Sequence, residues 1–243
     1  MKRIYHDAIF YPREEHTLRE MTALPHSEVK AKAIIVPHQD LRRAYNLYCE
    51  AFSRIKHAKR LIILSPLHSE VLLKDEGKFL FEGEPGTITT PLGEVRISHL
   101  GLDISEHYAE EEYAPELLLP YIASSFESVE TYIVYSAAKS AEESKKLSRL
   151  ISKWNNEHTV FIISSNLTGR MDKETMMESR AQGVALIESG AHLMDLYRKG
   201  RISICGSAII DALNRAITGN WHLIGLNQRD ESTGHGAFYK ELI

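Results

Sequence analysis

The chain has 243 residues, of which 43% are hydrophobic, and its formal net charge is −4. A chain of this length buries roughly 70–75% of the surface that it exposes when unfolded, so it can form a core without disulfide bonds. The acidic balance excludes the strongly basic face typical of nucleic-acid-binding domains, and two cysteines are too few for a disulfide framework.

We therefore expect a single domain over residues 1–243, located in a reducing cytoplasm. Lys2 and Arg3 precede any apolar run, so a signal peptide is not predicted. No apolar stretch approaches the ~20 residues that cross a bilayer, and no membrane partner is expected.

In chain order, continuous apolar runs of strand length alternate with segments whose apolar residues recur at helical spacing. The expected strands are 33–37, 61–64, 131–135, 160–164, 221–227 and 236–242, and the expected helices are 41–55, 115–122, 141–154, 172–197 and 205–217. Segment 87–97 is predicted to be a hairpin or a short excursion, and 229–235 a polar turn. Segment 172–197 is one helix, or two joined at Gly183 or Gly190.

This alternation predicts a three-layer α/β/α domain with a mixed, largely parallel sheet. Segment 33–64 forms a strand–helix–strand unit, which is expected to be parallel and right-handed, with its two strands as neighbours. In such a sheet, functional side chains gather beyond the carboxyl ends of the strands.

Two histidines occupy matching places in this scheme. His38 follows a strand that ends at Pro37, and His68 follows the sequence Ser65-Pro66-Leu67 at the end of the next strand. Each is compatible with an ordinary loop histidine, but the repeated placement also predicts a shared site.

Cys205 lies where an apolar-periodic helix is expected to begin. A helix N-terminus stabilises a thiolate, which is both a nucleophile and a metal ligand. The alternative is a small buried apolar residue, which is the interpretation that fits Cys49 within helix 41–55.

Other candidates carry weaker signals. Glu116 lies in a predicted first helical turn, where a carboxylate often serves only the helix dipole. Asn166 follows the strand that ends at Ser164, and His235 lies between two glycines, so each is either a pocket residue or a turn residue. The acidic run 110–112 is predicted to be a solvated face. Phosphate-cradling and serine-hydrolase motifs are absent from the sequence.

Several short motifs follow one another along nearly the whole chain: Phe10-Tyr11-Pro12, Ile34-Ile35-Val36-Pro37-His38, Ile63-Leu64-Ser65-Pro66-Leu67-His68, Thr90-Pro91-Leu92-Gly93, Glu112 to Pro120, Ser164-Ser165-Asn166 and Ile204-Cys205-Gly206. In this order they resemble the motifs of the Memo family (mediator of cell motility), whose prokaryotic members are also called AmmeMemoRadiSam system protein B. The resemblance implies a fold similar to that of class III non-haem iron extradiol dioxygenases. It also implies a site for iron or copper at His38, His68 and Cys205.

The sequence departs from the family pattern around these positions. The family's Pro-His-Ala-Gly-Tyr is Pro37-His38-Gln39-Asp40-Leu41 here, and its Glu-His-Ser is Glu112-Tyr113-Ala114. The histidine of its Ser-Ser-Asp-x-x-His, which corresponds to the catalytic base of the related dioxygenases, is replaced by Gly169. Glycine transfers no proton, which argues against ring-cleaving chemistry of that kind.

Three hypotheses follow. The first is a site for one transition metal ion (iron, copper or zinc) with redox or dioxygenase-related activity, in which Asp40, Glu116, Asn166 and His235 support the ligands. The second is a non-catalytic module that binds a small molecule or peptide in the crevice. The third is an enzyme with Cys205 as nucleophile. By family analogy, the partners are an AMMECR-type domain and a radical S-adenosylmethionine protein.

Overall fold

The computed structural model describes residues 9–68, 78–227 and 232–242. Its strands, in chain order, are β1 (Ala31–Val36), β2 (Arg60–Pro66), β3 (Leu80–Glu82), β4 (Gly86–Thr90), β5 (Gly93–Ser98), β6 (Asp103–Ile104), β7 (Glu130–Ser136), β8 (Thr159–Ser164), β9 (Trp221–Asn227) and β10 (His235–Glu241). Its helices are α1 (Glu15–Met21), α2 (Leu41–Ser53), α3 (Glu106–Glu111), α4 (Leu119–Ser125), α5 (Ala141–Trp154), α6 (Lys173–Glu188), α7 (Leu193–Arg198) and α8 (Ser207–Ala216).

The strands form one mixed sheet in the order β4-β5-β7-β2-β8-β1-β10-β9, with β3 and β6 attached beside β7. The pairs between β5 and β1 along this order are parallel, and β10 and β9 continue the sheet as antiparallel strands. The predicted three-layer α/β class with a mixed sheet is confirmed. The likeness to extradiol dioxygenases stays a prediction.

The central strands are buried on both faces, as their continuous apolar runs predict. Successive residues of a strand point to opposite faces, so Ile34 and Ile162 enter one core while Ile35 and Ile163 enter the other. Helices α2 and α4 cover the first face, and α5 and α8 cover the second.

The order of the strands corrects one expectation. Strands β1 and β2 are parallel in direction but are not neighbours, because β8 lies between them and pairs with both. The connection from β1 through α2 to β2 therefore passes over β8. The residues that follow β8 consequently lie between those that follow β1 and those that follow β2.

Several helix bounds also differ from the predictions. The predicted helix at 115–122 is a 3₁₀ turn over Glu116–Leu118 followed by α4, which has Pro120 in its first turn, where no amide donor is needed. Segment 172–197 is two helices, interrupted at Gly190, whose φ of +66° is left-handed. The helix predicted from Cys205 begins at Ser207.

The hairpin expected at 87–97 is formed by β4 and β5. The turn predicted over 229–235 falls partly outside the described residues. Within the described part of the chain, no helix has both the length and the apolar character needed to cross a membrane.

Candidate metal centre

The candidate site lies at the edge of the sheet where β1, β8 and β2 reach their carboxyl ends. His38 follows β1 and is 6% exposed, and His68 follows β2 with its side chain 33% exposed. Cys205 lies in the turn before α8, which comes from a distant part of the sequence. The topology thus brings together the three residues that the sequence analysis predicted as ligands.

The ring of His38 is fixed by the end of β8. Its Nδ1 lies 3.2 Å from Ser164 Oγ, and its backbone N–H donates to Asn166 Oδ1 at 3.2 Å. The remaining ring nitrogen, Nε2, lies 3.7 Å from Cys205 Sγ. With Nδ1 held by Ser164, Nε2 is the nitrogen that faces the cluster.

His68 is held by one carboxylate. Glu112 Oε2 accepts the His68 backbone N–H at 2.8 Å and lies 3.0 Å from His68 Nδ1. The other oxygen, Oε1, accepts the N–H of Ala114 at 3.1 Å. A carboxylate bonded to one ring nitrogen orients the imidazole and leaves its other nitrogen to coordinate a metal ion, as at many metal sites.

Glu112 corrects the prediction of a solvated acidic face at 110–112. Glu110 and Glu111 are exposed, but Glu112 lies just after α3 and is 3% exposed. A run of three glutamates gives no local indication that the third differs. The only sequence signal was that Glu112 matches the glutamate in the family's Glu-His-Ser motif.

The sulfur of Cys205 receives polar contacts from the residues after β8. The N–H of Asn166 donates to Sγ at 3.2 Å, and Ser165 Oγ lies 3.5 Å from Sγ. Ser165 Oγ also accepts the N–H of Gly206 at 2.9 Å, which fixes the turn that carries Cys205.

The donor set fits a metal ion. One ligand atom from each of His38, His68 and Cys205 lies within 4.8 Å of the other two, and this is the one group of three or more potential ligands among the described residues. The two imidazole rings meet edge to face, with centroids 4.4 Å apart. Two imidazoles and a thiolate are a donor set suited to iron, copper or zinc.

The ionisation equilibria favour a thiolate beside an imidazolium. Burial alone would raise the pKa of the Cys205 thiol, but the charges and hydrogen bonds of His38 and His68 outweigh it and hold that pKa well below its usual value. Burial disfavours the charged ring of His68, yet Cys205 and Glu112 raise its pKa to about 10. The pKa of Glu112 is lowered by the same pairing, which outweighs its burial.

An aromatic wall borders the histidines. Tyr113 stacks on Phe10 with ring centroids 4.5 Å apart, and it meets the His38 ring edge-on at 6.1 Å. Burial raises the pKa of Tyr113 to about 12, with the nearby Glu112 and Cys205 charges adding to the effect. Tyr113 therefore remains a neutral phenol at physiological pH, in the place of the family's histidine.

The remaining predicted site residues have different surroundings. Asn166 contacts both His38 and Cys205, as described above. Asp40 caps α2 by accepting the N–H of Arg42 at 2.8 Å, and Glu116 accepts the hydroxyl of Tyr11 at 3.0 Å. His235 is 1% exposed at the start of β10, opposite Asn227.

Gly169 shows what replaces the family's last histidine. It is exposed, and its N–H donates to Ser203 Oγ at 2.9 Å. The sequence analysis did not assign to the site three residues that contact the candidate ligands: Glu112, Ser164 and Ser165. Ser164 ends β8 and Ser165 follows it, but nothing in their residue types distinguished them from turn residues.

Comparison with known proteins identifies relatives. The sequence model of the family described as "Memo-like protein" matches residues 4–219. A protein of Aquifex aeolicus (strain VF5), named "MEMO1 family protein", is 26% identical over 223 residues, which cover 81% of this chain and 79% of that protein. The family model's match spans His38, His68 and Cys205 together with the residues that contact them.

Proposed function

The chain belongs to the Memo-like family, and from that membership and the geometry of the site we propose that it binds one transition metal ion through His38, His68 and Cys205. The observation that carries the proposal is the arrangement of the donors. Three atoms from distant segments converge within 4.8 Å, and Nδ1 of each histidine already contacts a protein oxygen.

The donor types limit the choice of metal. A thiolate and two imidazoles suit iron, copper or zinc, whereas magnesium and calcium prefer oxygen ligands. Iron or copper would supply redox or oxygen-linked chemistry here, and zinc would supply a Lewis acid. Three protein ligands leave further coordination positions for water or a substrate, which is the pattern of catalytic rather than structural sites.

The residues of the site do not provide the proton-transfer step that the family's histidine would perform at position 169. Gly169 has no side chain to act as base, and the raised pKa of Tyr113 makes that phenol a hydrogen-bond donor rather than a base. We therefore propose a metal-dependent role, redox in kind if the ion is iron or copper, that does not follow the ring-opening route of the related dioxygenases. A small molecule or a peptide would enter beside His68, which is exposed.

A reducing cytoplasm is part of the same proposal, because Cys205 must stay reduced to act as a ligand and both cysteines are free. By family analogy, an AMMECR-type domain and a radical S-adenosylmethionine protein are the partners that we would test first.

Metal analysis tests the proposal. Protein loaded separately with iron(II), copper(I) or zinc(II) and then dialysed is expected to retain about one ion per chain for at least one metal. The His38→Ala/His68→Ala double variant should retain almost none. A His16→Ala/His158→Ala variant, which removes two exposed histidines instead, should behave like the wild type. Equal, negligible retention by all three proteins would refute the proposal.

A second candidate function is supported by the state of Cys205. A thiolate 3.7 Å from His38 Nε2 has the arrangement of a cysteine nucleophile with a histidine partner. The rate of alkylation against pH tests this candidate. An activated thiol reacts at a rate that is already high below pH 7, whereas an ordinary thiol titrates near its free value of ~8.5.

A further inference from the structure

Three consecutive residues at the end of β8, Ser164, Ser165 and Asn166, contact two of the three donor side chains. Of the three donor side chains, Ser164 contacts that of His38, through Oγ. Ser165 and the backbone of Asn166 contact the sulfur of Cys205. The segment therefore separates two tasks, because its first hydroxyl serves an imidazole and its second serves the thiolate.

The hydrogen bonds of Ser165 leave its proton for an acceptor near the sulfur. Its Oγ accepts the Gly206 N–H at 2.9 Å, so that amide occupies a lone pair of the oxygen. The hydroxyl proton then has two acceptors, the carbonyl of Asn166 at 3.2 Å and the sulfur of Cys205 at 3.5 Å. When Cys205 is a thiolate, the sulfur carries the negative charge and is the stronger acceptor.

The close approach of the two segments requires Gly206. A Cβ at position 206 would lie 2.7 Å from both Cβ and Oγ of Ser165. With glycine there, the turn carrying Cys205 packs directly on Ser165, which is 2% exposed. Ser165 is thus held in a fixed position beside the sulfur.

We infer that Ser165, together with the backbone amide of Asn166, is a positioning element that moderates the donor strength of the Cys205 sulfur toward the bound metal. The inference rests on the proposed metal site. Hydrogen bonds to a coordinating sulfur withdraw electron density from it, and such bonds are among the means by which proteins tune metal–thiolate centres. Two donors on one sulfur are expected to stabilise the lower oxidation state of a redox-active metal.

Cobalt(II) provides a spectroscopic test, because a cobalt–thiolate bond gives a sulfur-to-metal charge-transfer absorption. The energy of this absorption depends on the electron density at the sulfur. Ser165→Ala removes one donor, so we expect its band at a longer wavelength than that of the wild type. Ser165→Thr keeps the hydroxyl and should restore the wild-type wavelength. Ser164→Ala, the matched control, should lower cobalt affinity about 10-fold through His38 and leave the wavelength unchanged.

The outcomes separate the two proposals. Wild-type protein without a cobalt–thiolate band would overturn the metal site itself. A wild-type band that keeps its wavelength in folded Ser165→Ala, as judged by circular dichroism, would overturn only the role of Ser165.

A second measurement needs no variant. In wild-type protein loaded with an NMR-active cadmium isotope, an N–H···S hydrogen bond transmits a scalar coupling from the metal to the amide proton. We expect that coupling at the Asn166 amide. Its absence from a well-resolved Asn166 signal would contradict the inference, even if Ser165→Ala failed to fold.

Discussion

Glu112 binds His68 twice, because one carboxylate oxygen accepts the backbone N–H and also contacts the ring Nδ1. The backbone and the ring of the histidine are thereby fixed by a single group that is 3% exposed. This contact orients the remaining ring nitrogen toward Cys205 and increases the basicity of the imidazole.

We expect Glu112→Gln to weaken metal binding by about 10–100-fold, because the amide keeps an acceptor but loses the charge. Competition with a chromophoric chelator measures the affinity. Glu111→Gln, one residue earlier and exposed, should bind like the wild type. Unchanged affinity in Glu112→Gln would show that His68 does not depend on the carboxylate charge.

Gly206→Ala is expected to destabilise the protein by about 1–3 kcal/mol, because the new Cβ would overlap Ser165. Urea unfolding measures the effect. Gly86→Ala, where a Cβ meets nothing within 4 Å, should lie within about 0.5 kcal/mol of the wild type. Equal stability of the two variants would mean that the turn at 206 can shift freely.

Asp40→Ala is expected to cost about 1 kcal/mol of stability and to leave metal affinity unchanged, because the carboxylate caps α2. Asp40→Asn keeps the cap and should lose only a few tenths of a kcal/mol. A large loss of metal affinity in Asp40→Asn would instead support the predicted role of Asp40 as a support for the ligands.

Lys240 gives a pH-dependent prediction away from the site. Burial lowers its pKa to about 8, although Nζ donates to Gly219 O and Asn214 Oδ1 and lies 5.3 Å from the centre of the Trp221 ring. In the unfolded chain the pKa of this lysine is about 10.4, so the folded chain releases the proton at a lower pH. The contribution of Lys240 to the free energy of unfolding therefore rises between about pH 8 and pH 10.4.

Relative to Lys240→Met, the wild type should therefore gain about 1–3 kcal/mol in free energy of unfolding over that interval. As the pH falls from about 10.4 to about 8, the gain should be lost again. Urea titrations at several pH values measure it, with the exposed Lys146→Met as a control for the loss of a lysine. A constant difference between wild type and Lys240→Met would contradict the lowered pKa.

Sequence patterns predicted the elements and the three side chains that the structure brings together, because both are local signals. Buried strands show as apolar runs, and His38 and His68 stand just beyond two of them. The order of the strands was not predictable in this way, because no local pattern records that β8 enters between β1 and β2. The contacts of Ser164 and Ser165 depend on that order, so they were missed.

Glu112 was missed for a different reason. Its sequence neighbours are acidic and exposed, and its burial arises only because the chain turns inward after α3 toward the end of β2. Asp40 shows the opposite case. Its position beside His38 suggested support for a ligand, while the Asp-x-x pattern at the start of an apolar-periodic segment is equally a helix cap, which the structure shows.

The insertion of β8 between β1 and β2 also determines when in folding the site can exist. Its three candidate ligands, at residues 38, 68 and 205, approach one another only after strands distant in sequence have paired and α8 has docked. Such non-local contacts form late, since loop closure must come first. An added metal ion should therefore raise the unfolding midpoint without accelerating the earliest steps of refolding, because it has no preassembled partner in the denatured chain.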